Sequence, residues 1–133
     1  NLLGYTYKET GDNDKALEIY TQNLKQAEEL GDKNGVSTSL YNIAGIYYNK
    51  LEFYSALDYY KLLKDISEEL GDKWEVAHSL INIGNCYKYT GDNENALDYY
   101  VRSLEKYKEL DNKGGIVGSL LSIGEIYEKC FMQ

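Results

Sequence analysis

Apolar residues recur at helical spacing along the whole chain, in two alternating patterns. The first is Val36, Leu40, Ile43 and Tyr47, stepping by four, three and four positions. Val76, Leu80, Ile83 and Tyr87 repeat it, and so do Ile116, Leu120, Ile123 and Tyr127. Such steps keep one stripe on one face of an α-helix. The second pattern runs Ala16, Tyr20, Leu24, Ala27 and Leu30, with equivalents at Ala56, Tyr60 and Leu63 and at Ala96, Tyr100 and Leu104. Strict alternation is absent, which argues against strands. The spacing predicts seven helices, at about 2–9, 13–30, 34–50, 53–70, 73–90, 93–110 and 113–131.

The polar positions between these stripes supply stops and starts. Gly31 and Gly71 fall where a helix should end in the left-handed conformation that glycine adopts at little cost. Asp32, Asp72 and Asn112 follow as acceptors for the first free amides of the next helix, and Asp72 with Glu75 has the spacing of a capping box. Gly11-Asp12 and Gly91-Asp92 repeat the device, while Leu51-Glu52 replaces it at the middle junction. Turns this short force neighbouring helices to lie antiparallel. Small residues at Gly4, Ala44, Gly84 and Gly124, and at Ala16, Ala56 and Ala96, would let paired helices approach closely. Tyr59, Tyr99 and Trp74 are expected to pack between units.

The whole arrangement repeats with a period of forty residues. Superposing 11–50, 51–90 and 91–130 leaves ten columns identical, among them Ala16/Ala56/Ala96, Tyr20/Tyr60/Tyr100, Ser39/Ser79/Ser119, Ile43/Ile83/Ile123 and Tyr47/Tyr87/Tyr127. A period of this length indicates a stacked array in which each unit buries its apolar face on its neighbours. We expect an all-α solenoid of antiparallel helix pairs forming one domain. Its units are about 1–31, 32–71 and 72–111 with a half unit at 112–133, a fragment of a longer array. The last helix should present an apolar face, Ile123, Ile126, Tyr127 and Phe131, to another copy or a further repeat.

The segments Leu40-x-x-Ile43-Ala44-x-x-Tyr47…Ala56-x-x-x-Tyr60 and Leu80-x-x-Ile83-Gly84-x-x-Tyr87…Ala96-x-x-x-Tyr100 resemble the tetratricopeptide repeat. Two features depart from that family's usual pattern. The period is forty rather than thirty-four, and the closing proline gives way to Leu-Gly-Asp-Lys at 30–33 and 70–73. The long variety is similar to arrays in kinesin light chains, mitotic-orientation adaptors and bacterial signalling proteins. The resemblance implies a right-handed superhelix whose first helices line a concave, peptide-binding groove. It places Tyr41, Asn42, Tyr48 and Asn49, with His78, Asn82, Asn85 and Tyr89, on that groove, and Tyr5, Lys8 and Glu9 at its N-terminal end. Asparagines in the Asn42/Asn82 column often hold a ligand's main chain in such proteins, since a carboxamide both donates and accepts. The basic clamp by which chaperone-tail receptors grip a terminal carboxylate is missing: Tyr41, Gly45, Gly118 and Ser122 stand where it needs polar or basic side chains.

Composition narrows the partners. Hydrophobic residues make up 43% and charged residues 27% of the 133, a foldable balance. Net charge is −8, which disfavours nucleic acid and anionic membrane surfaces and leaves basic or neutral protein partners open. No apolar run approaches the length of a bilayer span. Cys86 shares the apolar column of Ile46 and Ile126, so we expect a small buried hydrophobe and reduced thiols in a cytoplasmic setting. His78 is the single histidine, and no Cys/His cluster has zinc spacing, so no metal, cofactor or catalytic activity is expected. The reading is a protein–protein interaction module binding a peptide or protein segment. The alternatives are a sensor arm of a larger signalling protein or a self-association module.

Overall fold

The computed structural model describes residues 3–4 and 11–131, with side chains as far as residue 130. Six helices follow: α1 Asn13–Leu30, α2 Lys33–Asn49, α3 Phe53–Leu70, α4 Lys73–Tyr89, α5 Asn93–Glu109 and α6 Lys113–Phe131. Of the helix expected at 2–9, only Leu3 and Gly4 are described, and both are helical; Tyr5, Tyr7, Lys8 and Glu9 lie outside the described residues.

The stops and starts are local chemistry. Gly31 and Gly71 close α1 and α3 at φ +67° and +71°. Asp12, Asp32, Asp72 and Asp92 then accept from the backbone N–H three residues on, at 3.0–3.1 Å, and Asn112 does the same for Gly115 at 2.9 Å. Each such cap contributes about 1 kcal/mol. The reciprocal half of the box expected at Asp72 does not form. Asp72 N–H donates instead to Ser67 O at 3.0 Å, and the Glu75 carboxylate accepts from Ser79 Oγ at 3.5 Å. Leu51 holds the glycine role at the middle junction with φ +64°, and Glu52 behind it makes no side-chain cap.

Helices pack against their sequence neighbours, giving an α-solenoid. Its core is a succession of nuclei: Ala16, Tyr20, Ile43 and Ile46; then Leu40, Ala44, Ala56, Leu57, Tyr60, Leu63, Ile83 and Cys86; then Ala96, Tyr100 and Ile126. Small residues set the closeness of approach. A Cβ on Gly84 would lie 2.7 Å from the Tyr100 ring, whereas one on Gly124 would meet nothing within 4 Å. The expected close approach at Gly124 is therefore not made, because no described helix follows α6.

Tyr59 and Tyr99 pack against the nucleus of Leu40, Ala44, Ile83 and Cys86, which spans two units, and they also stack within a unit. Each stacks across its own helix pair, Tyr59 on Tyr47 at 5.5 Å and Tyr99 on Tyr87 at 5.6 Å. Lys61 Nζ donates to Tyr87 OH at 2.9 Å and ties α3 to α4. Inside, Ser103 Oγ donates to Ala77 O at 2.9 Å, fastening α5 to α4. Cys86 is fully buried and unpaired, its thiol pushed up to about 12 by burial; Cys130 is free and exposed.

The outer face of α6 corrects one expectation. Ile126 is 2% exposed and belongs to the nucleus with Ala96 and Tyr100, and Ile123 packs beside it. The apolar residues that α6 presents are Val117, Leu120, Leu121 and Tyr127, about half exposed or more. The Phe131 side chain lies outside the described ones.

Candidate functional site

On α2 and α4 the first stripe packs toward the neighbouring helices, as Ile123 does on α6, so the residues flanking it share the opposite side. Contacts between these helices show that they form one wall. Tyr41 of α2 stacks toward His78 of α4 at 6.3 Å, and Tyr48 meets Tyr89 edge to face at 6.1 Å. Lys88 of α4 reaches Glu125 of α6 at 3.1 Å while lying 4.7 Å over the Tyr89 ring.

One end of the wall is an aromatic cluster. Tyr89 stacks on Phe53 at 4.9 Å, and Tyr48 is wedged edge-on against Phe53, Tyr60 and Tyr89. Burial and the neighbouring Tyr89 push the Tyr48 hydroxyl well above the usual tyrosine range. Tyr48 is thus a half-buried brace, and Tyr89 is the exposed ring. Asn49 is exposed beside them.

The other end is a cleft of about 620 Å³ between α2 and α4, lined by Asn34, Ser37, Thr38, Tyr41, Leu70, Asp72, Trp74 and Glu75. The residues from α2 step by three, one and three, which puts all four on one helical face. Trp74 was expected to pack between units; it is instead 47% exposed and stacks on His78, one turn along its own helix, at 4.9 Å and 11°. The His78 ring stacks on Trp74 and also lies 6.3 Å from the Tyr41 ring, and burial lowers its pKa, which favours the neutral imidazole. Burial, reinforced by the Asp72 charge, pushes the Glu75 carboxyl up to about 7.

Asn42 and Asn82 lie on this wall half-buried, and neither carboxamide has a hydrogen-bond partner among the described residues. Asn85 is different. Its Oδ1 accepts from Tyr100 OH at 2.5 Å, so it fixes the core tyrosine that packs against Gly84. Sequence spacing missed this because the partner lies on the next helix. The signal was Tyr100 itself, since a buried tyrosine hydroxyl needs an acceptor. Among the described residues no His, Cys, Asp and Glu side chains gather as a metal-binding set, and no helix is long and apolar enough to cross a membrane.

Comparison with known proteins places this arrangement. Among solved structures, the chain is similar to the apo form of RapI, with TM-score 0.85 and 20% identity over 95% of this chain and 46% of that one. It is similar to BtubC (BKLC) from P. vanneervenii, with TM-score 0.85 and 26% identity over 96% and 53%. It is also similar to the TPR domain of Arabidopsis FLU, with TM-score 0.73 and 19% identity over 80% and 90%. The chain spans about half the length of the RapI and BtubC chains. No curated protein matches the sequence. The finer likeness to kinesin light chains and mitotic-orientation adaptors is carried by the sequence segments alone. The family model described as Tetratricopeptide repeat matches residues 1–61 and 35–109, and the chain belongs to the tetratricopeptide repeat family.

Proposed function

We propose that the chain is a non-catalytic interaction module that holds a peptide or protein segment along the wall of α2, α4 and α6. The observation that carries this is the pair Asn42 and Asn82, forty residues apart in one column, half-buried, with unspent carboxamides. Polar groups held at the edge of burial without partners favour a ligand that supplies them. Tyr41 and Tyr89 flank them as large apolar surfaces with polar tips, the kind of side chain that anchors interfaces. The buried, unpaired Cys86 suits a reducing, cytoplasmic setting.

The test is a pull-down with the chain as bait, then affinity mapping of the captured segment against the double variant Asn42→Ala/Asn82→Ala. Each lost buried hydrogen bond should weaken binding by about 1–3 kcal/mol. Unchanged affinity rejects the assignment. A sensor arm uses the same wall, with occupancy altering the pitch of the array. The half-exposed Leu120 and Tyr127 support self-association through α6 as the second reading. Sedimentation at rising concentration separates it: Leu120→Glu should abolish any dimer while leaving segment binding intact.

A further inference from the structure

We propose that the cleft between α2 and α4 is a pocket for a cationic side chain, an arginine or lysine of the bound segment, lying against the exposed Trp74 ring, with Tyr41 across the cleft and the Asp72 and Glu75 carboxyls beside it. This names a partner chemistry within the groove reading and rests on that reading for its occupant.

The aromatic side of the pocket is open and braced. Trp74 has one face stacked on His78, and with 47% of its surface exposed it offers the other; Tyr41 is 42% exposed across the cleft. A cation over such faces is attracted by the ring quadrupole, most strongly for tryptophan. A guanidinium can also stack flat on an indole while its N–H groups reach carboxylates at the rim.

The acidic side is present and only partly spent. Asp72 uses Oδ1 to cap α4, which leaves Oδ2, and Glu75 holds only the Ser79 hydroxyl. A carboxyl raised by burial beside another carboxylate is a group that an incoming cation would stabilise in its ionised form.

Among the described residues, the neighbouring cations are engaged elsewhere. Lys33 is drawn to Glu69 at 3.2 Å, and Lys73 lines a separate hollow with Ser67 and Lys106. His78, the remaining basic group, is held toward its neutral form. A chain of net charge −8 favours a basic partner on approach as well.

Trp74 is the only tryptophan, so its emission reports this pocket alone. The experiment titrates the intact chain with N-acetyl-arginine methylamide and, in parallel, with the citrulline compound of the same shape and no charge. The arginine compound should give a saturable change in Trp74 emission, and the citrulline compound none. Asp72→Asn with Glu75→Gln keeps the α4 cap and the side-chain volumes, and should weaken binding about tenfold. Glu18→Gln with Glu94→Gln removes two exposed charges elsewhere and should leave binding unchanged. An equal response to citrulline, no saturation, or equal losses in the two double variants overturns the pocket. The probe has too little main chain to need Asn42 or Asn82. If it fails while their replacement still weakens segment binding, the pocket falls alone; if it binds while that replacement has no effect, the groove reading falls.

Discussion

Gly84 and Gly124 occupy the same column of the repeat, yet the structure gives their replacement by alanine opposite signs. At Gly84 the new Cβ would stand 2.7 Å from two Tyr100 ring atoms and 3.3 Å from Ala96 O, a backbone atom that cannot swing away. Tyr100 is fully buried and its hydroxyl is fixed on Asn85, so the ring has little room to yield. Overpacking of this kind costs about 1–3 kcal/mol, against about 1 kcal/mol gained when alanine replaces glycine inside a helix. The net expectation for Gly84→Ala is a loss of up to about 2 kcal/mol by that arithmetic. At Gly124 a Cβ meets nothing, so Gly124→Ala should gain roughly 0.5–1 kcal/mol from helix propensity alone. Urea unfolding followed by circular dichroism at micromolar concentration measures both. Probe-dependent midpoints would show that units melt separately, in which case the comparison is read from α4 and α6 by hydrogen exchange. A stabilised Gly84→Ala would refute the packing argument. A Gly124→Ala variant destabilised as much as Gly84→Ala would mean that the outer face of α6 is covered in solution.

Two further predictions concern local strain and pH. Leu51 is 72% exposed with φ +64°, where neighbouring junctions have Gly11 and Gly91; Leu51→Gly should raise stability by up to about 1 kcal/mol, read as a higher urea midpoint at constant slope. The Glu75 carboxyl is raised in the folded chain, so folding favours its protonated form, and its contribution falls as pH rises from about 4.5 through about 7. It faces Asp72 from the preceding turn, Tyr60 of α3 and Tyr107 of α5; His78, lowered by burial, acts in the opposite sense and loses stability below its ordinary value of 6.5. Comparing Glu75→Gln with the parent cancels the histidine: the two should match near pH 4.5, and the variant should gain about 1 kcal/mol by pH 8, solvent screening of a half-buried group having reduced the effect. A parallel pair of pH profiles would refute the assignment.

Helix boundaries were legible because they are decided within four residues. Gly31, Gly71 and the Asp and Asn caps act on their own turn, so α1 to α6 begin and end within a residue of the pattern-based ranges. The aromatic wall was legible only in part. The family resemblance placed Tyr41, Tyr48, His78 and Tyr89 on one side, but their pairings depend on how far apart α2 and α4 settle, which no single helix encodes. Asn85 looked identical in kind to Asn42 and Asn82, and only the hydroxyl of Tyr100 on another helix separates them.

The misreading of Ile126 shows where a stripe runs out of information. A period near 3.6 says that Leu120, Ile123, Ile126 and Tyr127 share the apolar half of a helix, but an inner helix has two neighbours and divides that half between them. In α2 and α4 both divisions are covered, so Leu40, Leu80, Ile46 and Cys86 are all buried and the split is invisible. α6 packs on one side only among the described residues, and there the columns part: Ile126 is 2% exposed, whereas Leu120 is 51% and Tyr127 48%. The column of Leu40 therefore serves the helix that follows and that of Cys86 the helices already laid down, while that of Tyr47 touches both, Tyr87 stacking on Tyr99 ahead and accepting from Lys61 behind. By this division, substitutions at Leu120 and Tyr127 should change what α6 recruits, and substitutions at Ile126 should change whether α6 stays folded onto the array.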